Sequence, residues 1–407
     1  MRKMWIAVAG LVLLAGGTAS WFLWPKGESP PVKPVPRLLW TFTAPKPGAA
    51  IAAPCIGPDS IDFAAVHVRG FKLAGAVYSL DRATGKPKWT FDPEESMLPT
   101  ASAPLLADGR LYFGEGMHAN FSCKLYCLDA ARGSLLWTFP TSDHVEGGPS
   151  LHHGLVIFPA GNDGLYAVDA RTGVKRWNYR ADLHIDSTPT IANGRAYVGS
   201  GPSRKFPSSC IVCVNADTGS PVWRTDVPLP AWASPVLLGE RLFAGLGNGR
   251  LTEAARPPET PAGAVACLDA ADGTIQWTVK LPDAVFTQPL TASDRVLAPC
   301  RDGHVYAFST GGRELYRVSL GGPVIAAPVL AEGAVFAVSV PGRILCFDPA
   351  DGREFWQHDL PGDARVYAAP RVVGRRLFLA YETRTPGATI GPVSVSCFEL
   401  PPSLGER

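Results

Sequence analysis

The sequence predicts an all-β fold made of repeated four-stranded units, and three observations carry that prediction. The composition is rich in turn residues, with 42 glycines and 39 prolines in 407 residues, which suits many short strands and disfavours helices. A stretch reading strand, turn, strand recurs with Asp, Gly and Trp at fixed offsets, as in "VYSLDRATGKPKWTF", "LYCLDAARGSLLWTF" and "LYAVDARTGVKRWNY". A proline precedes each unit (Pro54, Pro104, Pro149, Pro189, Pro235, Pro289, Pro328 and Pro370), usually followed by an apolar run, a turn and a second apolar run such as "GRLYFG". Each unit is therefore four short strands. With 46% hydrophobic residues the chain has ample apolar material for a large core. A formal net charge of +2 without a long basic run leaves no footprint for nucleic acid.

Residues 1–25 stand apart from the repeats. Arg2 and Lys3 precede an uncharged run from Met4 to Trp24, flanked by Trp5, Trp21 and Trp24. Such a run spans a bilayer core of roughly 30 Å as a helix, and the leading positive charges hold its amino terminus in the cytoplasm. The expectation is an inner-membrane anchor with the body outside the cytoplasm, in a bacterial periplasm. The alternative is a signal cleaved near Gly17-Thr18-Ala19, which yields a secreted protein. Residues 26–36 are Pro-rich and polar, an extended tether. Residues 37–400 hold the repeats, and 401–407 are a tail.

Within the repeats the acidic residue and the tryptophan pair as Asp81 and Trp89, Asp129 and Trp137, Asp169 and Trp177, Asp269 and Trp277, and Asp348 and Trp356, with Asn215 standing before Trp223. One copy is degenerate, with Ser309 and Tyr316 in the Asp and Trp places. The Asp ending the third strand can accept hydrogen bonds from backbone amides ahead of it, and the Gly supplies the positive φ that a tight turn requires. The Trp has a large ring to bury, and only a neighbouring unit can supply the other wall. Two positions before each acidic place lies a small residue: Ser79, Cys127, Ala167, Cys213, Cys267, Ala307, Cys346 and Cys397. That slot is selected for size.

The two ends of the repeat region complete one another. Residues 393–400, "VSVSCFEL", read as a third strand with no fourth after it, and residues 37–42, "RLLWTF", read as a fourth strand with its Trp40 and nothing before it. Four-stranded units around a central channel describe a β-propeller. The amino-terminal strand is expected to complete the last of eight blades, leaving no free edge.

At these residues the chain resembles the PQQ-like β-propeller family, whose tryptophan-docking repeat has the form A-x-D-x-x-T-G-x-x-x-W. "AVDARTGVKRW" at 167–177 matches in full, and "SLDRATGKPKW" differs only in its first residue. The resemblance covers residues 37–400. It implies the propeller fold and two function classes, PQQ- and calcium-dependent alcohol dehydrogenases and a noncatalytic, BamB-like branch. The family's dehydrogenases have a vicinal Cys-Cys pair at the cofactor and are typically longer, and no two cysteines are adjacent here. The BamB-like branch is the closer resemblance. It implies a monomeric envelope scaffold that binds a protein or peptide and needs no cofactor. The alternative is a PQQ-dependent quinoprotein oxidoreductase with PQQ and calcium. Proteins of the BamB-like branch carry a lipidated Cys at the end of the signal, whereas the first cysteine here is Cys55.

The nine cysteines fall in equivalent slots or in separate repeats, so no disulfide is expected. Cys210 and Cys213 form a CxxC, but three residues along a strand point to opposite faces. The segments linking successive units should open onto one mouth of the channel. Three residues before each proline, these segments carry Ile51, Ala101, Glu146, Asp186, Trp232, Phe286, Ile325 and Tyr367. His144 and His184 stand two residues before Glu146 and Asp186, on the same side of an extended chain. His144, Glu146, His184 and Asp186 are the candidate metal ligands, since imidazoles with carboxylates hold divalent metals or perform acid-base work. A solvated polar rim is the alternative. Trp232, Phe286 and Tyr367 are the candidate partner-binding surface. Of 11 tryptophans, three flank the apolar run and seven dock, which leaves Trp232 without a structural duty.

Overall fold

The computed structural model describes residues 35–70, 72–93, 97–249, 260–384 and 390–402. The anchor or signal expected in 1–25, nearly all of the tether and most of the tail lie outside the described residues. Among the described residues every regular element is a strand, and no helix is long and apolar enough to cross a membrane.

Six separate four-stranded antiparallel sheets span residues 105–140, 150–179, 190–226, 236–281, 290–319 and 329–359, each pairing its strands in chain order. The first strands of successive sheets lie against one another, as Ser150–His152 does with Thr190–Ala192 and Thr190–Ala192 with Val236–Leu238. Exposure grades outward across each sheet. In the sheet spanning 150–179 the second strand, Leu155–Pro159, is buried beyond its first residue, while the fourth, Lys175–Tyr179, starts exposed. Burial on both faces explains why the second strands read as unbroken apolar runs. The pattern is that of a β-propeller.

The remaining strands form one nine-stranded sheet. At its centre the strand Arg37–Ala49 pairs with Gly391–Glu399 from Arg37↔Glu399 to Gly48↔Gly391, and with Ser60–Arg69 only at Gly48↔His67 and Ala49↔Val66. The amino-terminal strand thus joins the first and last parts of the sheet. It runs beyond the expected 37–42 because a register shift between Thr43 and Pro47 absorbs Pro45, and bulges are where a strand tolerates proline.

The repeated residues act at the contacts between sheets. Asp169 Oδ1 accepts from the Arg171 amide at 3.1 Å, the Thr172 amide at 3.0 Å and the Thr172 hydroxyl at 2.9 Å. Asp81, Asp129, Asp269 and Asp348 cap their turns in the same way. The small residue two before the Asp pairs directly with the tryptophan across the ladder, as in Ser79↔Trp89, Cys127↔Trp137, Ala167↔Trp177, Cys213↔Trp223, Cys267↔Trp277, Cys346↔Trp356 and Cys397↔Trp40. Six of the seven docking indoles, all but Trp356, then lie over the turn glycine of the following repeat. A Cβ added to Gly133 would sit 2.5 Å from the Trp89 ring, and one added to Gly219 would sit 2.6 Å from Trp177. The Trp89 Nε1 donates to Ala130 O at 2.9 Å, Trp177 to Ala216 O at 3.2 Å, Trp223 to Ala270 O at 3.1 Å and Trp277 to Thr310 O at 3.0 Å.

Tyr316 performs the same docking in the degenerate copy. Its ring faces Gly352, and its hydroxyl donates to Pro349 O at 2.6 Å. Tyr316→Phe keeps the ring and removes that bond, so the expected cost is about 0.5–1.5 kcal/mol, measured as a lower urea midpoint. An unchanged midpoint would show that the hydroxyl does not contribute.

All nine cysteines are free. Cys210 and Cys213 pack into different core clusters on the two faces of their strand, and burial pushes the Cys213 thiol up to about 12. They are inert fillers.

Candidate functional site

The four residues singled out as metal ligands converge. The segment after Leu135–Pro140 carries His144 and Glu146, and the segment after Lys175–Tyr179 carries His184 and Asp186. Local pairing fixes where they point. Val145 N donates to Glu115 O at 2.9 Å, and Gly161 and Ile185 exchange backbone bonds of 3.1 and 3.0 Å. Each crossing segment is thereby tied to the loop between the second and third strands of the sheet it leaves, and its polar side chains face a common point.

Asp186 is the hub. Its Oδ1 lies 3.1 Å from His144 Nε2, and its Oδ2 lies 2.8 Å from His184 Nε2 and 3.5 Å from His118 Nε2. His118, on the loop between Arg110–Gly114 and Lys124–Asp129, also meets Glu146 Oε2 through Nδ1 at 2.7 Å. The three imidazole centroids are 5.0 to 5.5 Å apart. The His144 and His184 side chains are 2% exposed and Asp186 is 8% exposed, whereas His118 is 58% exposed. The cluster is therefore sealed below and open at His118.

A second layer orients the first. Asp143 Oδ1 lies 2.8 Å from His144 Nδ1, and Asp143 Oδ2 accepts from the Asn162 amide at 2.9 Å and from Asn162 Nδ2 at 2.5 Å. With its Nδ2 committed to a carboxylate, Asn162 turns its Oδ1 toward His184 Nδ1 at 3.2 Å and accepts from Ser203 Oγ at 2.7 Å.

The charges are strongly coupled. Burial disfavours the His144 imidazolium, but its hydrogen bonds to Asp143 and Asp186 and their charges outweigh that and hold it up to about 10. Burial likewise pushes the Asp143 carboxyl up, and His144 and the Asn162 amide outweigh it to hold it at about 2. Asp186 is held far below the usual carboxylate range because His144 and His184 overcome its desolvation. The hydrogen bond to Glu146 raises His118.

The three aromatics named from the sequence are placed differently from one another. Trp232 is half-buried and walls the histidine cluster, with ring centroids 5.9 Å from His118 and 6.0 Å from His184. Phe286 is 9% exposed and lies beneath the Arg301 guanidinium, 5.0 Å from its ring centre. That guanidinium is in turn bound to Asp283 at 2.6 Å. Counting from proline identifies a position on the crossing segment but does not show whether it faces the core or solvent, so Phe286 is corrected to a packing residue. Tyr367 is half-buried. Among the residues it brings to the site, the structure adds His118, Asp143, Asn162 and Ser203, which sequence reasoning missed. It also places Phe121, 67% exposed, on the His118 loop.

The family described as outer membrane protein assembly factor BamB matches residues 73–205, 208–315 and 301–385. An outer membrane protein assembly factor BamB from Bordetella pertussis is 29% identical over 160 residues, a stretch covering 35% of this chain and 40% of that relative's length. Among solved structures, BamB from Moraxella catarrhalis superposes with a TM-score of 0.66 at 16% identity, covering 92% of this chain and all of that one, 100%. Quinohemoprotein alcohol dehydrogenase from Comamonas testosteroni superposes with a TM-score of 0.67 at 15% identity, covering 91% of this chain and 77% of that one. At those identities the superpositions show the fold alone. Tryptophan-docked sheets and a match that extends over most of the repeat region lead to one assignment: the chain belongs to the PQQ-like repeat propeller family, on its BamB-like side.

Proposed function

We propose that this chain is a noncatalytic binding protein of the bacterial cell envelope, an eight-bladed propeller outside the cytoplasm whose mouth recognises a protein or peptide. The count of eight takes the nine-stranded sheet as the first and last blades joined at Gly48 and Ala49, added to the six separate sheets. The observation that carries the binding role is Phe121. Its loop is pinned by Ser122 N to Ser142 O at 3.0 Å and by Asn120 N to Met117 O at 2.6 Å, yet the ring is 67% exposed. A pinned loop holding out a large apolar ring beside His118 is prepared for a partner, since covering a Phe contributes about 1.5–3 kcal/mol.

A photo-crosslinking residue in place of Phe121 is the test, with the same residue in place of Leu135, exposed on an outer strand, as control. The expected result is a discrete crosslinked envelope protein at position 121 and none at 135, with capture weakened at least about tenfold by Trp232→Ala, equivalent to about 1.4 kcal/mol. Equal crosslinking at both positions overturns the reading.

The residues do not fit the quinoprotein alternative. No two cysteines are adjacent, and eight of the nine are buried. Incubation with PQQ and calcium should give no dye reduction with alcohols above a protein-free blank, and reduction above it would replace the scaffold reading with an oxidoreductase.

A further inference from the structure

We infer that His118, His144, His184 and Asp186 form a binding site for one divalent transition-metal ion, with the three Nε2 atoms and the Asp186 carboxylate as ligands. The inference stands independently of the scaffold reading.

The orientation of the donors carries it. Asn162 Nδ2 donates to Asp143, so Asn162 Oδ1 is the acceptor that faces His184 Nδ1. A neutral His184 therefore has its proton on Nδ1 and presents the Nε2 lone pair to Asp186. Nε2 and Asp186 Oδ2 are 2.8 Å apart, yet neither has a hydrogen-bond partner, and both are buried. A neutral imidazole's Nε2 lone pair and a carboxylate oxygen that close repel one another, and a metal ion between them would turn both into ligands. His118 has the same bias. Its Nδ1 is engaged by Glu146 at 2.7 Å, which leaves Nε2 turned toward Asp186. His144 Nδ1 faces Asp143, and its Nε2 faces Asp186. His118 and His184 thus have a hydrogen-bonded outer partner on the other nitrogen, the arrangement that fixes histidines on metals, and His144 Nδ1 lies 2.8 Å from Asp143 Oδ1 without a formed hydrogen bond.

Charge and donor type select the ion. Asp143, Glu146 and Asp186 place three carboxylates around three imidazoles, which bind a metal in their neutral form, and a dication that displaces their protons offsets the carboxylate charge. Calcium and magnesium favour all-oxygen cages, whereas three imidazoles with one carboxylate suit zinc and its first-row neighbours. The four ligand atoms lie within 4.8 Å of one another, and tetrahedral bonds of about 2.0–2.1 Å require separations of about 3.3 Å. The wider separations must close while the 2.8 Å contact of His184 with Asp186 opens, and His118 is the exposed member on a loop. The ion would tie that loop to two crossing segments. His152, His153 and Asp217 form a second cluster, but His153 and Asp217 are exposed, and it serves as the control.

The test uses the full chain without an affinity tag, stripped with chelator and titrated with zinc chloride against a competing chromogenic chelator. Wild type should bind one equivalent, and X-ray absorption should show only nitrogen and oxygen neighbours at about 2.0–2.1 Å. His118→Ala, at an exposed position that leaves the fold intact, and His184→Ala should each weaken binding more than about 100-fold. Asn162→Ala, which removes an outer partner, should weaken it about 10–100-fold. His153→Ala should have no effect. Absence of stoichiometric binding by wild type overturns the site, as does wild-type affinity in His118→Ala. An equal loss in His153→Ala would also overturn it, as adventitious surface binding. If His184→Ala does not fold, His118→Ala decides the question alone.

Discussion

Trp356→Ala is expected to lower the unfolding free energy by about 3–5 kcal/mol, the largest loss among the docking tryptophans. Trp356 is 1% exposed and the largest fully buried side chain among the described residues. It packs in a cluster with Phe336, Leu377 and Phe398, and its ring centroid is 5.9 Å from that of Phe336. Truncation removes that contact and leaves a cavity between two sheets that rigid ladders cannot collapse to fill. The indole Nε1 has no hydrogen-bond partner, so the loss is one of packing alone. Trp356→Phe should therefore recover more than half of it. Urea unfolding with an unchanged m-value reads both variants. A Trp356→Ala midpoint equal to wild type would show that docking at this contact does not hold the sheets together.

The same comparison shows how far the sequence carries. Seven tryptophans at one offset read as equals, because the repeat encodes the backbone position and the turn that receives the ring. Their burial differs with the neighbour. Trp177 and Trp223 are 8% and 9% exposed, while Trp89, Trp137, Trp277 and Trp40 are half-buried. The small slot is legible for a physical reason found only in the structure, since it lies directly across the ladder from the indole. At the site, His144, Glu146, His184 and Asp186 are legible because crossing segments recur at a fixed distance from the prolines. His118 and Asn162 are not. They sit on loops between second and third strands, which have no periodicity, and only backbone pairing such as Gly161 with Ile185 brings them to the mouth. Phe286 fails for the opposite reason. Its position repeats, but the residue that lies over it, Arg301, is on the loop between the second and third strands of the sheet that its segment enters, where no periodicity marks it.

Gly85→Ala should destabilise the protein more than Gly109→Ala, by about 1–3 kcal/mol. Both glycines have left-handed backbone, with φ of 72° and 70°, so alanine at either pays the same cost of about 1–2 kcal/mol for that conformation. Their surroundings differ. An added Cβ at Gly109 meets nothing within 4 Å, whereas one at Gly85 would lie 2.4 Å from Trp40 Cε3. Trp40 cannot yield easily, because it is paired with Cys397 in the strand that joins the first and last parts of the nine-stranded sheet. Moving its ring strains that closure, while shifting the turn breaks the Gly85 N to Asp81 O bond of 2.8 Å. The excess cost at Gly85 therefore measures the docking contact at the closure, with the backbone term removed by subtraction. Removing the ring in the Gly85→Ala, Trp40→Ala double variant should abolish the excess, leaving Gly85→Ala no worse than Gly109→Ala when each is measured against its own parent. Equal losses for the two single variants would mean that the turn glycine is selected for its φ alone and that the indole above it is free to move.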